Sequence, residues 1–138
     1  MIAYIDSSIL LRILLKQEAH LDLAKLPPEK YSSELLGIEC RRVIDRLRLE
    51  SKLVDRAVAH TMEELRLFEH ASGRIRLSRS VLHRSAMPMP TVLKTLDAIH
   101  LSSALMLRER KSTNILFVTH DSQQTIAARA FGLECAGL

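Results

Sequence analysis

Two short apolar stretches, each followed by an acidic residue and a helical pattern, constrain most strongly what this chain can fold into. Residues 2–5 precede Asp6, and residues 115–119 lead to Asp121. Short runs rich in β-forming residues predict buried strands, and strands that alternate with helices predict an α/β fold with a parallel sheet. Because ligands of open α/β sheets bind at the carboxyl ends of the strands, we expect both acids at the mouth of a site.

The remaining segments continue this alternation. Four more helical patterns are clear, over residues 33–49, 55–70, 95–109 and 123–131. Weaker patterns predict short helices within 17–26 and 80–86, and short strands at 31–32, near 75–77 and within 133–138. We expect the first two long helices to form a hairpin that projects from the sheet.

Length and composition indicate a single domain, residues 1–138, with an aliphatic core. Only 4% of the residues are aromatic, and 20 basic against 16 acidic side chains give a net charge of +4, which permits contact with a polyanion. Cys40 and Cys135 lack zinc-like spacing, so we expect them to be reduced. The chain shows no signal segment and no apolar run of membrane-spanning length, which predicts a cytoplasmic protein without membrane contact.

Two further acids join Asp6 and Asp121 as candidates. Glu39 lies on or beside the apolar stripe of its helix, where an unpaired carboxylate costs several kcal/mol, and Asp97 lies in the first turn of another helix. Two carboxylates about 5 Å apart repel by roughly 3 kcal/mol at an effective dielectric of 20, so a cluster of four needs cations or protons. Oxygen ligands alone favour Mg²⁺ or Mn²⁺ over zinc, and the matching chemistry is metal-assisted phosphodiester hydrolysis.

Simpler interpretations compete with this one for each residue. Asp6 and Asp121 could equally well be helix caps, Asp97 a first-turn acid, and Glu39 the partner of an arginine. His100 and His120 are left out of the site, because a histidine near a helix start or a strand end is more often structural. The 33–49 helix carries several arginines that could contact an RNA backbone or could equally well form a solvated helix face. They are Arg41, Arg42, Arg46 and Arg48.

Four motifs in order resemble the PIN domain family, and in particular the VapC ribonuclease toxins of toxin-antitoxin pairs. The motifs are residues 4–8, residues 33–39 with Arg42, residues 96–101 with 104–105, and residues 117–121 with 130–133. The resemblance implies an α/β fold with a parallel sheet of about five strands and helices on both faces.

The same resemblance implies a function and its residues. Asp6, Glu39, Asp97 and Asp121 would be the catalytic Mg²⁺ or Mn²⁺ ligands of an endoribonuclease. Thr119 and Ser8 would hydrogen-bond these acids or a water on the metal, and three arginines would contact the RNA substrate, namely Arg12, Arg42 and Arg46. It also implies a homodimer and a small cognate antitoxin protein.

Other classes fit less well. A catalytically idle PIN-like module for RNA binding or assembly predicts the loss of one or more acids, and all four are present. A haloacid-dehalogenase-like phosphatase needs a second Asp two residues after the first, where this chain has Ser8. A receiver-type signalling domain needs an acidic pair directly after the first strand, and Asp6 has no acidic neighbour.

Overall fold

The computed structural model describes residues 1–138 as a five-stranded sheet with helices on both faces, which confirms the predicted fold class. The strands are β1 (Ile2–Ile5), β2 (Lys30–Ser33), β3 (Gly73–Ile75), β4 (Ile115–Val118) and β5 (Glu134–Ala136). The helices are α1 (Ser7–Leu14), α2 (Leu35–Leu49), α3 (Asp55–Ala71), α4 (Arg79–Ser85), α5 (Thr95–Lys111) and α6 (Ser122–Ala130). None of these helices is long and apolar enough to cross a membrane.

The sheet separates two hydrophobic cores because side chains of a strand alternate between its faces. In β1, Ile2 and Tyr4 pack with α5 and α6 on one face, whereas Ala3 and Ile5 pack with α1, α2 and α3 on the other. Helix α5 is buried over ten consecutive residues, from Ala98 to Leu107. The buried stretch packs on all sides, so side chains within it, such as His100, are positioned firmly.

Strand order places a ligand-binding crevice beside β1. All strand pairs are parallel, and the order is β3-β2-β1-β4-β5. The chain therefore proceeds from β1 in one direction to β3 and then crosses to the other side of β1 for β4. In open α/β sheets ligands bind at such a switch point, outside the carboxyl ends of the strands. Those ends are Ile5 and Val118, which are paired in the β1 to β4 register.

Two local predictions were wrong. The segment 17–26 contains only a single 3-10 turn, Leu23–Lys25, because Leu21 and Leu23 are two residues apart, a spacing that does not place side chains on one face of a helix. The α2 and α3 hairpin does not project from the sheet, since Leu36, Ile44 and Leu65 are buried in the core beneath β1. The two cysteines are free, as predicted.

Candidate active site

Asp6 lies at the start of α1, directly after β1, and its carboxylate is buried. One oxygen, Oδ2, accepts a hydrogen bond from the hydroxyl of Ser8 at 2.6 Å and lies 3.0 Å from the hydroxyl of Thr119, whose single hydrogen is shared with the side-chain oxygen of Gln124 at 2.6 Å. The other oxygen, Oδ1, is buried and has no hydrogen-bond partner. A buried carboxylate oxygen without a partner is costly, so this atom is suited to bind a ligand that the protein itself does not provide.

Asp121 occupies the matching position after β4 but uses its side chain differently. Its Oδ1 accepts the backbone N–H of Gln124 at 2.8 Å and so caps α6. The backbone N–H of Asp121 donates to the hydroxyl of Thr119, which also contacts Asp6 and the side-chain oxygen of Gln124. Thr119 therefore links the two acid-bearing loops on either side of the switch point.

Glu39 projects from α2 toward the same edge, and both of its oxygens are bound. Oε2 accepts the hydroxyl of Ser7 at 3.0 Å, and Oε1 lies 2.6 Å from Nε2 of His100. The same His100 nitrogen lies 3.6 Å from Oδ1 of Asp6. Burial by itself lowers the pKa of His100, but the hydrogen bond with Glu39 and the charge of Asp6 outweigh it and raise the pKa above its ordinary value.

Asp97 lies in the first turn of α5, and the charges of the other acids change its pKa. Burial and the negative charges of Asp6 and Asp121 raise the pKa of Asp97 to about 6, and the charge of Glu39 adds to the effect. Charges affect a pKa in this way only at short range, so the other three acids lie near Asp97. The structure thus brings Asp6, Glu39, Asp97 and Asp121 into one electrostatic neighbourhood.

The four acids do not form a ready-made metal cluster, because no three His, Cys, Asp or Glu side chains converge in the way that metal binding needs. Glu39 and Asp121 direct oxygens to donors of the protein instead. The donor set nevertheless fits a hard divalent cation, since it consists of carboxylate oxygens and includes the unpartnered Oδ1 of Asp6. A cation there would also relieve the repulsion that raises the pKa of Asp97.

Two of the three predicted RNA-contacting arginines lie beside this site. Arg12 and Arg46 line a groove of about 340 Å³ between α1 and α2, which reaches Ser8 next to Asp6. Arg42 lies outside this groove, with a highly exposed side chain 3.5 Å from Asp45. Arg41 is also outside it and forms an ion pair with Glu69 at 2.7 Å.

Comparison with known proteins decides the family. The model of the family described as "PIN domain" matches residues 3–130, nearly the whole chain. The chain belongs to the PIN domain family. PIN domains are generally nucleases, so the acidic edge of the sheet lies in a fold that most often serves to cut nucleic acid.

A solved structure shares this fold. One chain of the "Toxin-antitoxin complex from Klebsiella pneumoniae" is 21% identical to this PIN domain, with a TM-score of 0.59, and the match covers 91% of this chain and 90% of that one. At this level of identity the likeness shows the fold alone. No curated protein matches this PIN domain significantly.

The sequence interpretation missed residues that bind the acids. His100 was assigned a structural role, yet it contacts Glu39, and its other ring nitrogen, Nδ1, lies 2.8 Å from the hydroxyl of Tyr4. A signal for it existed, because His100 follows Asp97 by three residues and so shares a face of α5 with that acid. Ser7 could not have been singled out, since its contact with Glu39 depends on how α1 packs against α2.

Proposed function

We propose that this PIN domain is a metal-dependent endoribonuclease that hydrolyses RNA phosphodiester bonds and serves as the toxin of a VapBC-type toxin-antitoxin pair. The observation that carries the proposal is the buried, unpartnered Oδ1 of Asp6 at the switch point of the sheet. Around it lie three more acids whose repulsion a cation would relieve.

The proposed ligands of Mg²⁺ or Mn²⁺ are Asp6, Glu39, Asp97 and Asp121. A bound ion of this type activates a water molecule and neutralises the charge that develops on the phosphate. Ser8 and Thr119 hold Oδ2 of Asp6 and thereby leave Oδ1 directed toward the site. Asp121 keeps one oxygen on the N-terminus of α6, so its other oxygen is the one available to the ion.

The groove beside Ser8 supports an RNA substrate. Arg12 and Arg46 present guanidinium groups in a position where the phosphates that flank the cut bond would lie. Arg42, which lies one turn before Arg46 on α2, is a further proposed RNA contact. Changing Arg12 or Arg46 to Ala should weaken RNA binding and lower its salt dependence by about one unit of log–log slope. Arg48→Ala is the matched control, because Arg48 faces Asp45 and does not line the groove.

The proposed partners are a small antitoxin and a second copy of the chain in a homodimer. The similar fold comes from a toxin-antitoxin complex, and an apolar groove of about 460 Å³ between α1 and α3 offers surface to a small protein. A neighbouring reading frame that encodes a small protein with a DNA-binding end would support the toxin role. As an enzyme that acts on cellular RNA, the protein would function in the cytoplasm.

The test is cleavage of a mixed pool of folded tRNAs and ribosomal RNA by the purified full chain. Reactions contain Mg²⁺, Mn²⁺ or EDTA, and variants Asp6→Asn and Asp121→Asn run in parallel. Asp45→Asn is the matched control, since it makes the same chemical change on an exposed face of α2. We expect discrete cuts that require the ion, disappear in both site variants and persist in the control.

Two other results would speak against the proposal. Cleavage that survives in both site variants would point to a contaminating nuclease. No cleavage by a protein that still binds RNA would favour the alternative, a catalytically idle PIN-like module for RNA binding or assembly.

A further inference from the structure

His100 is fully buried and lies between the side chains of Tyr4 and Glu39. Its exposed fraction is 0%, as is that of Tyr4, whose ring stacks on Phe117 with 5.5 Å between centroids. Nδ1 of His100 lies 2.8 Å from the Tyr4 hydroxyl, and Nε2 lies 2.6 Å from Oε1 of Glu39. A continuous chain of hydrogen bonds therefore runs from the core face of β1 to the acidic edge of the sheet.

The partners of the ring determine where its hydrogen lies. A carboxylate only accepts hydrogen bonds, so the proton between His100 and Glu39 is carried by Nε2. Burial, with the charge of Asp6 adding to it, raises the pKa of Tyr4 well above its ordinary value, so the hydroxyl keeps its proton. When the ring is neutral, that hydroxyl donates to Nδ1 and selects the form with hydrogen on Nε2.

The consequence concerns the orientation of Glu39. Oε1 is hydrogen-bonded to Nε2 of His100 and Oε2 to the hydroxyl of Ser7, so the carboxylate group of Glu39 cannot rotate freely. His100 also shares the first turns of α5 with Asp97, and α5 is buried from Ala98 to Leu107. The imidazole thus connects the acid on α2 to the helix that carries another acid.

We propose that His100, held by Tyr4, is a positioning residue that orients the carboxylate of Glu39 toward Asp6 and Asp97 for metal binding. The inference rests on the proposed function, because it assumes that these acids bind a divalent ion. A purely space-filling role would not need an imidazole, since an aliphatic side chain would fill this buried position without the cost of burying two ring nitrogens. Hydrogen-bond partners that orient a metal ligand commonly change metal affinity by about 10- to 100-fold.

The test is calorimetric titration of the metal-free full chain with Mn²⁺. His100→Asn removes the donor to Glu39, because its short amide cannot reach the position of Nε2, whereas His100→Gln places an N–H close to that position. We expect the Asn variant to bind Mn²⁺ about 10- to 100-fold more weakly and the Gln variant to recover most of the affinity. Tyr4→Phe, which keeps the ring but not the hydroxyl, should give a smaller loss.

His60→Gln is the matched control, because His60 lies on α3 in an exposed pair with Glu64. Thermal unfolding of each metal-free variant separates loss of folding from loss of affinity. Wild-type affinity in a folded Asn variant would overturn the inference and leave the proposed function intact. If the wild-type chain binds no Mn²⁺, both the inference and the proposed metal site are wrong.

A measurement on the unaltered protein keeps the inference testable if the Asn variant fails to fold. The chain has six histidines, and a spectrum with ¹⁵N-labelled histidine, assigned by comparison with the Gln variant, reports which ring nitrogen of His100 is protonated. We expect a proton on Nε2 that exchanges slowly with water, and a resonance that shifts when Mg²⁺ is added. Hydrogen on Nδ1 alone, or no response to Mg²⁺, would overturn the inference.

Discussion

The loops after β1 and β4 share one pattern, a strand followed by an acid and a helix, but they use the acid in different ways. Asp121 caps its helix by accepting the N–H of Gln124. Asp6 stands at the equivalent N-terminal position of α1 and makes no capping hydrogen bond. Its Oδ2 is held by Ser8 and Thr119 instead, and its Oδ1 has no partner.

A carboxylate at the start of a helix is therefore not always a capping residue. Asp121 would stabilise this fold even if the protein had no catalytic role, because a capping Asp is worth about 1 kcal/mol. Asp6 does not stabilise α1 in this way, and its buried Oδ1 has no hydrogen-bond partner in the protein. The comparison therefore identifies Asp6 as the acid that depends most on an external cation.

The largest expected effect follows from Asp6→Asn. The amide keeps an oxygen for Ser8 and Thr119 but removes the charge, so Mn²⁺ affinity should fall by at least about 100-fold, more than for a residue that only orients a ligand. The free energy of unfolding of the metal-free protein should change little, because the lost repulsion against Asp97 is offset by the lost attraction to His100, whose Nε2 lies 3.6 Å from Oδ1 of Asp6. Calorimetry and urea denaturation in EDTA measure both quantities. Unaltered affinity would place the ion elsewhere.

Asp97 should make the stability of the metal-free protein depend on pH. Because the pKa of Asp97 is raised to about 6, above its ordinary value of about 4, the folded state binds this proton more tightly than the unfolded state. Stability of the metal-free protein should therefore fall as pH rises through this interval. Asp97→Asn should remove that fall and raise the free energy of unfolding at neutral pH by about 1 kcal/mol, after discounting for partial exposure.

The control for this measurement is Asp45→Asn. The hydrogen bond from Arg48 lowers the pKa of the exposed Asp45, which is the opposite direction. This substitution should therefore give no gain in stability at neutral pH. Denaturation curves at several pH values would contradict the prediction for Asp97 if the wild type and Asp97→Asn showed the same pH dependence.

A third prediction separates capping from metal binding at Asp121. Asn is as good an N-cap as Asp, whereas Ala removes the acceptor for the N–H of Gln124. Asp121→Ala and Asp121→Asn remove the same repulsion against Asp97, so the Ala variant should have a free energy of unfolding in EDTA about 1 kcal/mol lower than that of the Asn variant. Both variants should bind Mn²⁺ poorly. Equal stability of the two variants would show that the cap contributes little.

The smallest expected effect on metal affinity comes from Ser8→Ala. Ser8 donates to Oδ2 of Asp6 and accepts the backbone N–H of His120, but the hydroxyl of Thr119, shared with Gln124, still lies 3.0 Å from the same carboxylate oxygen. The loss in stability should be about 1–2 kcal/mol, because two hydrogen bonds worth about 1 kcal/mol each are removed. Metal affinity should fall only a few-fold. A loss as large as that of Asp6→Asn would mean that Ser8 contacts the ion or its waters directly.

Much of the fold was predictable because its signals are local. The apolar runs of β1 and β4 specify buried strands, and Gly132, whose φ is +82°, ends α6 as expected. The segment 17–26 was harder, since the spacing of its apolar residues allows helix and loop alike. Its outcome depended on packing against α1 and α3.

The candidate site divides in the same way. By itself the sequence determined the four acids and two of their positions, because an acid that follows a buried parallel strand must lie at the carboxyl edge of the sheet. Only the tertiary structure decided which of these acids is satisfied by the protein and which is not. It also brought Ser7 and His100 to Glu39 from elements 32 and 61 residues away. Hydrogen bonds between separate helices depend on how those helices pack, and no local pattern encodes that geometry.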